Sequence, residues 1–166
     1  LKRDESQDGK PVIKVNLGFT LGDRTKLAGG DLSKLLAFKK LSDLSLSGTP
    51  VTDKDLKILA GFPELETLDL GVTSISDEGL KDLKSIKKLT SLDLSSTTVS
   101  DGGVEELTRI LGLTELNLSR TMVTDASVKS LSALKKLTSL DLRNTKITEA
   151  GQASLEKALP DCRIYR

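Results

Sequence analysis

Residues 89–107 read LTSLDLSSTTVSDGGVEEL, and the same order of leucines and polar residues recurs along the chain every 24 positions. The copies align without a gap and follow the pattern L-x-x-L-x-L-x-x-T-x-[VI]-[TS]-[DE]-x-x-[LV]-x-x-L. Their first residues are Leu41, Leu65, Leu89, Leu113 and Leu137. A fixed period of this length predicts a solenoid, in which each copy is one structural unit that stacks on its neighbours.

The first half of each copy has the alternation of a short strand. Leu92 and Leu94 lie two residues apart and point to one face of the strand, whereas Asp93 between them points to the other. A threonine follows where the chain turns, and its hydroxyl can bond the backbone of the turn and of the neighbouring repeat. Stacking predicts a column of these threonines about 4.8 Å apart: Thr49, Thr73, Thr97, Thr121 and Thr145.

The second half of each copy has the signals of a helix start. An acid follows the hydroxyl residue and favours the positive end of the helix dipole. Apolar residues three apart, such as Leu80 and Leu83, then lie on one helical face. We predict helix N-caps at Thr52, Ser76, Ser100, Thr124 and Thr148. Each repeat is therefore a strand, a turn and a short helix.

The pattern resembles the leucine-rich repeat, with Thr where most families have Asn or Cys. It is most similar to the 24-residue T-D-x-G-L type of repeat common in bacterial leucine-rich repeat proteins, those of planctomycetes among them. The resemblance covers residues 41–159. It implies an α/β right-handed solenoid, or horseshoe, with a parallel sheet on the concave face and short helices on the convex face. It also implies protein binding in general, but no enzyme and no named ligand.

The chain divides into four segments within one domain. We expect a flexible N-terminal segment at 1–10, an irregular capping repeat at 11–40, five regular repeats at 41–159 and a closing strand at 160–166. In the capping repeat, residues 11–17 alternate like a strand, while Thr25, Leu27, Leu32 and Leu35 resume the repeat after an insertion. At the other end Pro160 stops the last helix. Cys162 is predicted to be a small buried hydrophobic residue.

Composition excludes several classes of function. The formal net charge is +1 and no apolar run approaches a membrane helix, so neither nucleic acid nor membrane is an expected partner. Histidine is absent and Cys162 is the only cysteine, which removes the usual catalytic pairs and metal clusters. We expect a monomer without enzymatic activity, cofactor or metal. Cytoplasmic and exported locations both stay open, because a chain that starts at Leu1 suggests a truncated N-terminus.

The outward strand positions carry the candidate binding site. They are acidic and hydroxyl-rich, so we expect a protein partner with a basic surface. They lack aromatic residues, which argues against a tight energetic hot spot. Asp69 and Asp93 would lie about 5 Å apart and repel, unless a cation, a basic side chain or a hydroxyl such as that of Ser91 intervenes. Solvated, functionless carboxylates are the alternative, and calcium a weaker one. The candidate residues are Asp69, Asp93, Glu115, Asn117, Arg120, Asp141 and Arg143.

Lysine pairs recur in alternate repeats, at 39–40, 87–88 and 135–136. They would form a basic stripe at the edge where helices lead into strands. Such a stripe would suit an acidic partner, whereas lysines at helix C-termini also simply complement the helix dipole. The sequence therefore predicts a protein-binding or scaffolding module that uses the concave face. The alternative is a structural spacer or surface-display domain with no dedicated ligand, and hydrolase activity is a remote third.

Overall fold

The computed structural model describes residues 2–5, 11–17 and 29–166. Within these ranges eight strands form one sheet in chain order. β1 runs antiparallel to β2, and every later neighbour pair is parallel. The strands are β1 (Lys2–Glu5), β2 (Pro11–Asn16), β3 (Leu41–Ser45), β4 (Thr67–Asp69), β5 (Ser91–Asp93), β6 (Glu115–Asn117), β7 (Ser139–Asp141) and β8 (Arg163–Tyr165).

Short helices return the chain from the end of one strand to the start of the next. Three 3-10 helices, Gly29–Ala37, Lys57–Gly61 and Asp125–Ser127, supplement them in the described part of the chain. The α-helices are α1 (Asp53–Leu56), α2 (Asp77–Leu83), α3 (Asp101–Leu107), α4 (Val128–Ala133) and α5 (Glu149–Ala158). The α/β solenoid predicted from the repeat is confirmed.

The core is a continuous stack of aliphatic side chains. Leu68 pairs in register with Leu92, and Leu92 with Leu116, so equivalent leucines lie directly above one another. These three are at most 2% exposed. Phe62, at 1% exposed, is the one aromatic residue among the buried core side chains of the described residues. A repeat alone would leave its leucines in water, so each repeat is stable only when its neighbours cover it.

The turn after each regular strand has the same construction throughout. The predicted threonine column is buried at Thr49, Thr73, Thr97 and Thr121, and half-buried at Thr145. Each hydroxyl donates to the carbonyl oxygen three residues earlier, at 2.6–2.7 Å, and so closes its own turn. One residue before each threonine the backbone has a positive φ, between 55° and 69°: Gly48, Val72, Ser96, Arg120 and Asn144.

The two ends of the chain differ partly from the expectation. Residues 1–10 were expected to be flexible, but Lys2–Glu5 pairs with β2 because its backbone covers an otherwise open sheet edge. The strand expected over 11–17 corresponds to β2, and β8 lies where a closing strand was expected. The insertion and the positions Thr25 and Leu27 lie outside the described residues. The division of the chain into four segments remains a prediction.

Candidate functional site

The outward side chains of β2 to β8 form two columns, which together with the adjoining turns we call the concave face. The first column is Lys14, Asp43, Thr67, Ser91, Glu115, Ser139 and Arg163. The second is Asn16, Ser45, Asp69, Asp93, Asn117, Asp141 and Tyr165. Of the predicted candidates, Glu115 lies in the first column and four lie in the second. Arg120 and Arg143 follow β6 and β7 and are exposed.

Four members of the second column cap the turns that follow their own strands. We call Asp69, Asp93, Asn117 and Asp141 the strand-end ladder. In each, a side-chain oxygen accepts a hydrogen bond from the backbone N–H two residues later, at 2.7–3.0 Å. This is the local bond that makes Asp and Asn common in turns. The acidic column therefore has a structural role that sequence analysis missed.

The expected repulsion between Asp69 and Asp93 is relieved by neighbours on opposite sides. The hydroxyl of Ser45 donates to Asp69 Oδ2 at 2.8 Å, and the amide of Asn117 donates to Asp93 Oδ2 at 2.8 Å. The expected hydroxyl between the two carboxylates is not Ser91, which donates to Glu115 Oε2 at 3.0 Å, and the Ser45 hydroxyl reaches Asp69 from the strand on its other side. The carboxylates thus have partners within the chain and do not require a cation.

Asp141 has the strongest partner of the ladder. Arg143 donates from Nε to both carboxylate oxygens at 3.0 Å and also from its backbone N–H. Burial alone raises the pKa of Asp141, but the hydrogen bonds from Arg143 and its positive charge outweigh burial and hold the pKa below its usual value. The pair has no net charge, and its arginine side chain is exposed on the concave face.

The closing strand places an aromatic residue on the concave face, contrary to the expectation that the face has none. Tyr165 pairs in register with Asp141, and Arg163 with Ser139. The guanidinium carbons of Arg163 and Arg143 lie 5.1 and 5.9 Å from the centre of the Tyr165 ring, which is cation–π distance. We call Asp141, Arg143, Arg163 and Tyr165 the C-terminal cluster. Extending the two-residue alternation into β8 would have predicted it.

A shallow concavity of about 230 Å³ lies beside this cluster. Ser91, Asp93, Glu115, Asn117, Ser139, Asp141 and Tyr165 are among the residues that line it. It is smaller than the roughly 300–1,000 Å³ typical of small-molecule pockets. Its geometry suits contact with another macromolecular surface better than enclosure of a ligand.

A second set of acids lies at the helix starts. We call Asp53, Asp77, Asp101 and Asp125 the helix-start ladder. Each carboxylate accepts from the backbone N–H and from the hydroxyl of the N-cap residue in the following repeat, 23 residues later, at 2.5–2.8 Å. The five predicted N-cap positions are confirmed. The bonds between repeats were not anticipated.

Glycines make room for this ladder. A Cβ at Gly79, Gly103 or Gly151 would collide with the carboxylate of Asp53, Asp77 or Asp125, respectively. The equivalent residue under Asp101 is Ser127, which is 1% exposed and donates its hydroxyl to that carboxylate. The repeated G in the T-D-x-G motif therefore leaves space for the neighbouring repeat's aspartate, and Ser127 is accommodated at the same position by bonding to it.

Hydrogen bonding lowers the pKa of two members of the helix-start ladder. The backbone N–H of Thr148 and then its hydroxyl lower the pKa of Asp125. Burial raises the pKa of Asp101, but the bonds from Ser127 and Thr124 outweigh burial, so the pKa lies below its usual value. Both groups favour the ionised form, which is the form that accepts these bonds.

Other chemistry has little support in the described residues. No group of three or more His, Cys, Asp or Glu side chains there could hold a metal ion. Over the same ranges, no helix has the length and apolar character needed to span a membrane. Cys162 is half-buried against the core, and burial raises the pKa of its thiol, which disfavours the reactive thiolate.

Comparison with known proteins agrees with this architecture. The leucine-rich repeat family model matches residues 64–84, 85–107 and 133–155. Internalin C2 of Listeria monocytogenes is similar at 30% identity and a TM-score of 0.62, over 81% of this chain and 54% of that one. A leucine-rich repeat protein of Leptospira interrogans matches at 23% identity and a TM-score of 0.61, again over 81% of this chain and 33% of its own.

A second Listeria internalin matches at 20% identity and a TM-score of 0.57, over 81% of this chain and 44% of its own length. No curated protein matches the chain significantly. The chain thus spans about half, or less, of the length of these structures. Repeat, register and comparisons agree: the chain contains leucine-rich repeats and has the fold of bacterial leucine-rich repeat proteins.

Proposed function

We propose that the chain is a protein-binding module whose concave face contacts the partner, with the C-terminal cluster as the anchor. The observation that carries the proposal is the position of Tyr165 on the outward face of the sheet, with two guanidinium groups at cation–π distance from its ring. Tyr and Arg are the residues that most often dominate the energy of protein interfaces. Leucine-rich repeat proteins in general mediate interactions between proteins, which supports the same assignment.

Charge along the concave face sets the orientation of the partner. Asp43, Asp69 and Asp93 lie on the outward face of β3 to β5. Arg120, Arg143 and Arg163 lie at the other end of the sheet, although Arg143 is neutralised by Asp141. We therefore keep the proposal of a basic partner surface for the half from Asp43 to Asp93, and add an aromatic or acidic contact at the C-terminal cluster.

The test is quantitative affinity capture from an extract of the source cell, using the whole chain as bait. We expect at least one protein to be enriched ten-fold or more, and to be lost with the double variant Arg163→Glu and Tyr165→Ala. Both residues are exposed on the last strand, so circular dichroism should not change. Lys129→Glu, an exposed charge reversal on α4, is the matched control and should retain the partner.

Two results would count against the proposal. A partner that survives the double variant would place binding elsewhere on the chain. Absence of any enriched protein would favour the alternative, a spacer or display domain. The specific observation that favours this alternative is the strand-end ladder, because its side chains are held by the chain's own turns.

Three further assignments belong to the same proposal. We infer a monomer that acts without catalysis, metal or cofactor. The repeat subtype, similar to that of planctomycetes, also remains a proposal, and the native gene would decide it. Both compartments, cytoplasmic and exported, also stay open, and the sequence of the native gene would decide between them.

A further inference from the structure

The lysine pairs occupy the edge where each helix leads into the next strand. Lys87-Lys88 precedes β5 and Lys135-Lys136 precedes β7. The repeats between them carry Pro63-Glu64 and Leu111-Gly112 at the same positions. Lys88 Nζ lies 2.6 Å from Glu64 Oε2, and the two residues are 24 positions apart. A carboxylate in one repeat thus pairs with the lysine of the next.

Lys136 holds the same place in its repeat but has no such partner. The residue 24 positions earlier is Gly112. A Cβ at Gly112 would lie 2.9 Å from the carbonyl oxygen of Leu89, so the turn leaves no room for a side chain there. Among the ion pairs of the described residues none involves Lys136. The preceding repeat therefore supplies no carboxylate to Lys136 from the position that Glu64 holds toward Lys88.

An apolar groove of about 220 Å³ lies beside this lysine. It runs between residues 110–113 and 133–136, and its lining includes Ile110, Leu111, Ala133 and Leu134. Leu111 is 77% exposed. At its position the neighbouring repeats carry Lys87 and Lys135, so a leucine replaces the usual solvated side chain. An exposed leucine alone is ordinary, but this one borders a groove and an unpaired cation.

We propose that this groove, which we call the edge groove, docks a partner protein segment in which a bulky apolar side chain is followed or preceded by a carboxylate. The apolar side chain packs on Leu111 and Leu134, and the carboxylate pairs with Lys136. The Glu64–Lys88 pair is the template for that contact, because it shows the geometry when the chain itself supplies the acid. The site is separate from the concave face and does not depend on the proposed function.

The experiment is selection of a random-peptide display library on the purified whole chain. We expect enriched peptides to contain one large apolar residue next to Asp or Glu. Their affinity should fall at least ten-fold with Leu111→Lys, which restores the residue type of the neighbouring repeats, and with Lys136→Glu. Both positions are exposed, so neither variant should unfold the chain.

Lys40→Glu is the matched control. It reverses the charge at the equivalent position four strands away, roughly 19 Å, which is beyond the Debye length of about 8 Å. Affinity should be unchanged in this variant, and also in Arg163→Glu with Tyr165→Ala. The double variant Arg163→Glu with Tyr165→Ala disrupts only the concave face, so it distinguishes binding there from binding at the edge groove. Failure of one proposal therefore leaves the other intact.

Several outcomes would overturn the inference. These are selection of no peptide, enrichment of basic peptides, or peptides whose affinity changes with neither Leu111→Lys nor Lys136→Glu. Sedimentation velocity gives an independent check for a second copy as the occupant. A concentration-dependent dimer that disappears with Leu111→Lys would assign the groove to self-association and overturn the proposed partner segment.

Discussion

Short acidic or amide side chains form the strand-end ladder on one side of this solenoid and aspartates form the helix-start ladder on another, and the two ladders bond different parts of the backbone. In the strand-end ladder the carboxylate of Asp93 accepts from a backbone N–H two residues later. In the helix-start ladder the carboxylate of Asp101 accepts from Thr124, 23 residues later. The strand-end side chain therefore closes a turn within its own repeat and can add a side-chain bond to a neighbouring repeat, as between Asn117 and Asp93, whereas the helix-start carboxylate bonds both the backbone and the N-cap side chain of the following repeat.

The difference explains which residue types occur in each of the two ladders. The strand-end position needs only a short side chain with an acceptor oxygen, and Asn117 replaces the acid there. The helix-start position is Asp in four repeats in a row. In the fifth it is Glu149, which bonds to no N-cap residue of a following repeat. Its Oε1 lies 3.8 Å from Arg166 Nη1. The acid is thus an aspartate wherever it bridges to a following repeat.

The largest effect should come from breaking one bridge between repeats. Asp101→Ala removes two bonds to Thr124 and leaves the buried hydroxyl of Ser127 unpaired, so we expect a loss of about 3 kcal/mol in the free energy of unfolding. Asp93→Ala removes one turn bond and the bond from the Asn117 amide at a half-buried position, and should cost about 1 kcal/mol. Urea denaturation measures both. Equal losses would contradict the distinction between the ladders.

A methyl group under the same ladder should have the next largest effect. In Gly103→Ala the Cβ collides with the Asp77 carboxylate and lies 2.9 Å from Val99 Cγ1, so we expect a net loss of about 2 kcal/mol despite the better helix propensity of Ala. Gly102→Ala is the matched control, since residue 102 is exposed and its Cβ meets only Asp77. If Gly102→Ala lowers the free energy of unfolding as much as Gly103→Ala, the loss comes from replacing glycine in the helix backbone and not from the collision with Asp77.

Relieving strain beside the strand-end ladder should stabilise the chain. Val72 has φ 56° and is 63% exposed, an unfavourable conformation for a β-branched residue that gains little from burial. We expect Val72→Asn to raise the free energy of unfolding by about 1 kcal/mol. Ser96→Asn, at the same position one repeat later, should change it less because Ser is not β-branched. Thermal denaturation provides the comparison, and a destabilised Val72→Asn would mean that Val72 has a packing role.

The smallest effect concerns acid stability. The folded-state pKa of Asp125 is lowered, so its contribution is complete above the ordinary carboxyl pKa of about 3.9 and is lost as pH falls through the lowered folded pKa. Asp125→Asn should therefore make the decline in stability below about pH 4 less steep. Denaturation curves at several acidic pH values measure this slope. An unchanged slope would show that the pKa shift does not contribute to folding.

NMR titration of the carboxyl groups separates the two ladders directly. In Arg143→Ala the pKa of Asp141 should rise, because the hydrogen bonds and charge of that side chain oppose the effect of burial. The pKa of Asp125 should stay the same, since its shift comes mainly from the N–H and hydroxyl of Thr148. A change at both sites would indicate a long-range charge effect rather than local bonding.

Much of the fold was predictable because the same local pattern of apolar and polar residues occurs in five consecutive repeats. Alternating Leu92, Asp93 and Leu94 determine which side chains point inward. Hydroxyl residues before acids predict where the helices start. The capping of each turn by its strand-end residue was also predictable, because the bond spans only two residues.

The sequence by itself therefore determined the solenoid and its register, through the 24-residue period, and the N-caps, through neighbours within a few residues. Only the tertiary structure decided the partners of the helix-start ladder, because those partners are 23 positions away and come together through stacking. Stacking also set the distances of 5.1 and 5.9 Å that join the guanidinium carbons of Arg163 and Arg143 to the centre of the Tyr165 ring. Both proposed binding surfaces arise between repeats, and the distances that create them exist only once the repeats are packed.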